Sequence, residues 1–223
     1  MLAVTKITIG EIGVRRELDL LGLLMEDLIE AIVFGETHRG FCTDDDPLTF
    51  SGTTAWARTL RGLRQNKRLL AKGWERDRVD NFETFASPDK TFQICVTTGD
   101  KETGKYDPAQ PFIKPKPKNP KGIMLQRAVT TNAWLFPEMG ADAEVRRKRL
   151  EAIQKRATWI LLIHRKGDLL YAELSLPSAF EAKNVKDWGH RIILDPLDVE
   201  PLSGIKDDSD DDTGEMDIPV ERI

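Results

Sequence analysis

Cationic side chains at helical spacing are the strongest chemical signal in this sequence. Between Ser51 and Gly73 they recur at steps of three and four, which predicts one positive stripe along a helix. A row of cations along roughly 20 Å of helix matches a phosphate backbone. An ordinary solvated helix face is the alternative, although no acidic residue interrupts the stripe. The predicted nucleic-acid-binding residues here are Arg58, Arg61, Arg64, Lys67, Arg68 and Lys72.

Two further basic segments follow in the sequence. Lysines alternate with prolines in one of them, which favours an extended loop that holds its cations stiffly. An exposed loop or a partner-binding segment is the alternative interpretation. The other is a second basic helix, predicted from Asp142 to about Ala157. Together they add Lys114, Lys116, Lys118, Lys121, Arg146, Arg147 and Arg149 to the predicted nucleic-acid-binding residues.

A turn that nearly matches a nucleotide-binding phosphate loop follows the apolar run Phe92–Thr98. Its residues, Gly99 to Tyr106, read G-D-K-E-T-G-K-Y. A phosphate loop needs Ser or Thr at the last position to ligate Mg²⁺, and a helix that begins at once. Here the last residue is Tyr106, and the prolines that follow forbid a helix interior. The turn is therefore predicted to be structural, with its glycines at special dihedral angles.

Carboxylates offer a second functional hypothesis, a metal-dependent phosphodiesterase or nuclease-like enzyme. The candidates are Asp100, Glu102 and Glu173, but no E-x-K pattern follows Glu173. Isolated His164 and His190 have no Ser or Cys nucleophile motif near them, so a structural role is favoured. We therefore lean away from an enzyme and assign no catalytic residue, no metal ligand and no cofactor.

Composition limits the class of protein. The chain has 223 residues, of which 40% are hydrophobic and 31% charged, enough for one domain with a proper core. Two distant cysteines argue against a disulfide framework and fit a reducing cytoplasm. The most apolar segment, Leu18–Phe34, contains four acidic residues, so we expect no membrane partner.

The charge is strongly segregated along the chain. Residues 1–50 carry 4 basic and 10 acidic side chains, residues 51–166 carry 24 and 12, and residues 167–223 carry 5 and 15. The net charge of -4 thus hides a positive central block between two acidic ends. Residues 207–217, with 7 acidic side chains, predict a disordered tail that could compete for the basic surface or bind a basic partner.

The patterns predict an α+β domain over residues 1–205, with helices packed on a mainly antiparallel sheet, and an acidic tail over 206–223. Helices are expected at about 16–34, 51–73, 123–136 and 142–157, so the N-terminal part, about 16–73, is mainly helical. Strands are expected at 4–9, 92–98, 159–164, 169–176 and 191–194, and the last three make a sheet-rich C-terminal part of about 158–200.

The functional expectation is a cytoplasmic nucleic-acid-binding protein, or such a subunit of a larger complex, with DNA or RNA held through the basic block, 51–166. A protein-interaction adaptor that uses the acidic tail and the proline and lysine loop is the remaining alternative.

Overall fold

The computed structural model describes residues 5–79, 82–106, 111, 156–181 and 184–199. Within these ranges the chain forms four helices and eight strands. The helices are α1 (Glu11–Leu20), α2 (Met25–Gly40), α3 (Phe50–Gln65) and α4 (Lys67–Ala71). The strands are β1 (Lys6–Thr8), β2 (Glu75–Val79), β3 (Phe82–Ala86), β4 (Phe92–Thr98), β5 (Ala157–Lys166), β6 (Leu169–Glu181), β7 (Asn184–Ile193) and β8 (Leu197–Asp198).

All eight strands belong to one mixed sheet, in the order β1-β7-β6-β5-β4-β3-β2, with β8 paired to the start of β6. The pairs β1–β7 and β4–β5 are parallel, and the other pairs are antiparallel. Helices packed on a mainly antiparallel sheet confirm the predicted α+β class. The predicted strand at 191–194 overlaps the end of the longer β7, and β2 and β3 form an antiparallel hairpin.

Alternation along the strands gives the sheet two different faces. Residues such as Ile94, Leu161 and Leu174 form one core cluster with the apolar faces of the helices. The opposite face carries a smaller apolar cluster, which includes Ile160 and Leu162, beside buried polar side chains. The buried polar residues of this second face include Thr84, Gln93, Thr158, Glu173, Ser175 and Arg191.

The prediction of one helix over 16–34 is wrong. Gly22 has a φ of 70° and lies between α1 and α2, a conformation that a helix interior does not allow. Asp27 then stabilises the first turn of α2, because its Oδ2 accepts a 2.6 Å hydrogen bond from the backbone N–H of Leu24. Gly35 lies inside α2, so the helix continues past the predicted end at about residue 34.

The predicted helix over 51–73 is interrupted once. Asn66 leaves the helical conformation with a ψ of 113°, and its side-chain oxygen accepts a 3.1 Å hydrogen bond from the N–H of Leu69. Asn66 thereby separates α3 from the single turn and a half of α4. Gly73 follows the end of α4, as predicted.

Two glycines let α2 and α3 approach backbone to backbone. A Cβ built on Gly62 would lie 2.9 Å from the Cα of Ala31, and one on Gly35 would lie 2.7 Å from the carbonyl oxygen of Ala55. Neither neighbour is the end of a flexible side chain, so neither can move aside cheaply. The pair α2–α3 therefore packs as one unit against the sheet.

Some predicted elements cannot be compared. The helices expected at 123–136 and 142–157 and the acidic tail at 206–223 lie wholly or mainly outside the described residues. Among the helices that are described, none is long and apolar enough to cross a membrane.

The first strand is held to the sheet by a small polar cluster. Lys6 Nζ lies 2.6 Å from Glu17 Oε2, and Thr8 Oγ1 lies 3.1 Å from His190 Nε2. Burial, aided by the charge of Lys6, lowers the pKa of His190 despite the opposing effect of Glu17. The hydrogen bond from Lys6 lowers the pKa of Glu17.

We expect Gly62→Ala to lower the free energy of unfolding by about 1–3 kcal/mol, because the added methyl group overpacks the contact with Ala31. Gly52→Ala is the matched control, since Gly52 lies in α3 and a Cβ there meets nothing within 4 Å. The control should be neutral or stabilise by up to about 1 kcal/mol. Urea unfolding midpoints measure both, and equal effects would contradict the close packing of α2 and α3.

We also expect stability to fall as the pH drops below about 6.5. The pKa of His190 is lower in the folded state than in the unfolded state, so the unfolded state binds the proton more tightly. His190→Gln keeps a polar partner for Thr8 but does not titrate. Urea unfolding on either side of the histidine range should show a smaller loss of stability for the variant, and an identical loss in both proteins would refute the assignment to His190.

Candidate nucleic-acid interface

The six described cations of the predicted stripe fall into two groups. Arg64 and Arg68 turn towards other parts of the fold and form ion pairs there. The remaining cations, Arg58, Arg61, Lys67 and Lys72, have no carboxylate partner among the described residues. The structure therefore divides the stripe into cations that hold the fold together and cations that are left for a ligand.

Arg64 connects α3 to the hairpin β2–β3. Its Nη1 lies 2.8 Å from Glu83 Oε2, and its Nη2 donates to the carbonyl oxygens of Thr84 at 2.8 Å and Asp77 at 3.2 Å. Backbone carbonyls and a carboxylate from two neighbouring strands thus converge on one guanidinium. This geometry uses most of the donors of Arg64 in the interior of the molecule.

Arg68 connects α4 to the start of α2 through Asp27. Its Nε donates to Asp27 Oδ1 at 3.0 Å, and its Nη2 contacts Oδ2 in a bidentate arrangement. Asn66 also donates to Oδ1, at 2.9 Å. Asp27 is only 4% exposed and accepts the N–H of Leu24 as well, so one carboxylate joins the start of α2 to α4 and to Asn66 at the α3–α4 junction.

The unpaired cations lie on the outer side of α3 and α4. Arg61 is exposed and donates from Nε to Gln65 Oε1 at 2.9 Å, a neutral partner that leaves its charge uncompensated. Lys67 is exposed and Arg58 half-buried. Lys72 is exposed, and its Nζ lies 3.5 Å from the carbonyl oxygen of Gly22. These side chains can meet phosphate oxygens without breaking an ion pair of the fold.

A cleft of about 550 Å³ lies between α2 and the junction of α3 with α4, and Lys67 is the one of these four cations that lines it. Lys67 and Gln65 line one wall, and Glu26 and Glu30 line the other. Glu26 is paired with Arg15 at 2.6 Å, and a backbone hydrogen bond, followed by the hydrogen bond from Arg15, lowers the pKa of Glu26. The full lining is Leu24, Glu26, Asp27, Glu30, Ala31, Phe34, Gly62, Gln65, Asn66, Lys67 and Arg68.

Glu173, the main carboxylate of the alternative enzyme hypothesis, is fully buried. Arg191 donates to it from Nε at 3.0 Å and from Nη2 at 2.6 Å, Ser175 Oγ at 2.7 Å and the N–H of Gly104 at 2.8 Å. Both of its oxygens are therefore occupied by donors of the chain. In the described ranges, no three or more His, Cys, Asp or Glu side chains come together as a metal site.

The turn that resembles a phosphate loop packs against β6. Gly104 has a φ of 73°, and a Cβ on it would lie 2.9 Å from the Cβ of Tyr171, so both its dihedral angle and its position call for glycine. Its N–H, the kind of group that holds phosphate in a nucleotide site, donates to Glu173 instead. This agrees with the prediction of a structural turn.

Several predicted residues cannot be placed. The predicted binding residues Lys114, Lys116, Lys118, Lys121, Arg146, Arg147 and Arg149 lie outside the described residues. Trp74 lies in the core and stacks on Phe85 at 5.2 Å between ring centroids, whereas Tyr106 is 66% exposed. No family model, curated protein or solved structure matches this chain.

We expect Arg68→Ala to lower the free energy of unfolding by about 2–4 kcal/mol, because it leaves the buried carboxylate of Asp27 without its charged partner. Lys67→Ala, at the adjacent position and also a loss of one positive charge, should change it by less than about 0.5 kcal/mol. Chemical denaturation of the two variants measures the difference, and equal stability would show that Arg68 does not hold the fold.

Proposed function

We propose that this protein binds nucleic acid through the outer face of α3 and α4. The observation that supports the proposal is a set of cations, Arg58 and Arg61 on α3 and Lys67 on α4, that have no carboxylate partner among the described residues. Lys72 extends this surface beyond the end of α4. Phosphate oxygens are the acceptors that such a row of cations suits.

The binding we expect is electrostatic and therefore sensitive to salt. Each phosphate that a cation neutralises adds about 0.7–0.9 to the slope of log affinity against log salt concentration. The described surface alone should give weak, sequence-independent affinity, typically about 10⁻⁴ to 10⁻⁶ M at physiological salt. The basic segments around residues 114–121 and 146–149 would add contacts to the same ligand.

The test is a triple variant, Arg58→Ala with Arg61→Ala and Lys67→Ala, compared with the wild type by fluorescence anisotropy on labelled DNA and RNA. Removal of these cations should weaken binding at least tenfold at low salt and lower the salt slope by about 2–3. Arg64 and Arg68 stay unchanged, because their charges hold Glu83 and Asp27.

A matched control removes the same number of positive charges elsewhere. Arg16, Lys101 and Lys166 are exposed and belong to other elements, so their triple alanine variant has the same net charge as the test variant. The control should keep most of the affinity and of the salt slope. Equal losses of affinity in both variants would show that binding depends on net charge and not on this surface. Absence of binding by the wild type at low salt would refute the proposed function.

A further inference from the structure

We propose that the cleft between α2 and the α3–α4 junction takes an unstacked base of a single-stranded nucleic acid, with a preference for bases that carry an amino group. This inference rests on the proposed function and names the form of nucleic acid that the surface binds. It assigns the cleft to base contacts and the neighbouring cations to the phosphates.

The cleft exists because the two helices touch through small residues. At Gly62 and Ala31 the backbones come so close that a Cβ on the glycine would lie 2.9 Å from the Cα of the alanine. Larger side chains stand only at the sides of this contact, which leaves a depression above it. Its volume of about 550 Å³ is within the range of sites that hold small molecules, and a base with its sugar is such a ligand.

The apolar part of the lining suits the face of a base. Phe34 and Leu24 both line the cleft, and neither is fully buried. The ring of Phe34 contacts the ring of His38 edge to face, at 4.3 Å between centroids, which supports its orientation. Stacking of bases on aromatic rings is the usual way in which proteins hold single strands.

The polar part of the lining suits the edge of a base. Three carboxylates line the cleft, but Glu26 is paired with Arg15 and Asp27 with Arg68. Glu30 is exposed and has no partner among the residues that the structure describes. A free carboxylate accepts hydrogen bonds from an amino group such as N4 of cytosine, whereas thymine and uracil have no such group.

Cations near the cleft can orient a single-stranded nucleic acid around it. Lys67 is on the wall opposite Glu30, and Arg61 donates a hydrogen bond to the side-chain oxygen Oε1 of Gln65, another lining residue. Phosphates on either side of an inserted base would meet these cations. A duplex keeps its bases stacked and paired, so it can reach the cations but cannot fill the cleft without the cost of extruding a base.

The test compares labelled single strands of cytosine only and of thymine only with a duplex, for the wild type, Glu30→Ala and Phe34→Leu. The wild type should bind the cytosine strand about fivefold or more tightly than the thymine strand. Glu30→Ala should bring that ratio close to one. Phe34→Leu, which keeps an apolar side chain, should weaken single strands several-fold and leave duplex affinity unchanged. Asp19→Ala removes a different exposed carboxylate, one on α1, and so controls for the change in charge. This variant should keep the ratio of cytosine-strand to thymine-strand affinity.

The outcomes separate the two proposals. Equal affinity for single strands and duplex, together with a cytosine-to-thymine ratio that Glu30→Ala does not change, would overturn the base site and leave the nucleic-acid surface intact. Absence of binding to any of the three ligands would overturn both. Urea unfolding of each variant shows whether a lost affinity reflects a lost fold.

Discussion

An ion pair without any exposed surface, Glu173 with Arg191, sets the constraint that the second face of the sheet must satisfy. Two buried charges lose their hydration, and the structure offsets that cost only by surrounding them with further donors and acceptors. Ser175 and the N–H of Gly104 donate the remaining hydrogen bonds to the carboxylate of Glu173. The carbonyl oxygen of Lys105 accepts a hydrogen bond from Arg191 Nη2 at 3.1 Å. The pair thereby joins β6, β7 and the turn after β4. It also explains why the N–H of Gly104, in a turn that resembles a phosphate loop, points inward to the carboxylate of Glu173.

Charges that are segregated in the sequence are brought together in space. Part of the acidic charge of the first fifty residues is neutralised inside the fold, because α2 packs directly beside the basic α3. Asp27 meets Arg68 in this way, and Glu36, also buried, lies 3.3 Å from both Arg39 and Arg165. Blocks of opposite sign along a chain can therefore indicate complementary layers of one domain as well as an external polyanion. Only the cations that form no ion pair within the fold are available to bind a ligand.

The sequence predicted the sheet better than it predicted the helices or the candidate site. The strands at 92–98 and 159–164 were recognisable from their mainly apolar runs, and the strand at 169–176 from its alternation of apolar and more polar residues. The breaks at Gly22 and Asn66 were missed, because each depends on a local hydrogen bond that competes with a continuous helical pattern. The roles of Arg64 and Arg68 could not be predicted, since helical periodicity shows which side of the helix a residue faces but not which distant carboxylate it pairs with. The cleft was not predicted for the same reason, because it forms where two helices that are separate in the sequence come into contact.

The parallel pairing of β1 with β7 makes the fold depend on its most distant segments. Lys6 is opposite His190 in this pairing, and the hydroxyl of Thr5 donates to the carbonyl oxygen of Trp188 across 183 positions of the chain. During synthesis the first strand leaves the ribosome long before its partner does, so it must wait unpaired while the helices and inner strands form. Such non-local contacts slow folding, because the entropy of closing the chain is lost before the contact is made. The edge strand should accordingly be the last element to join the sheet during biosynthesis.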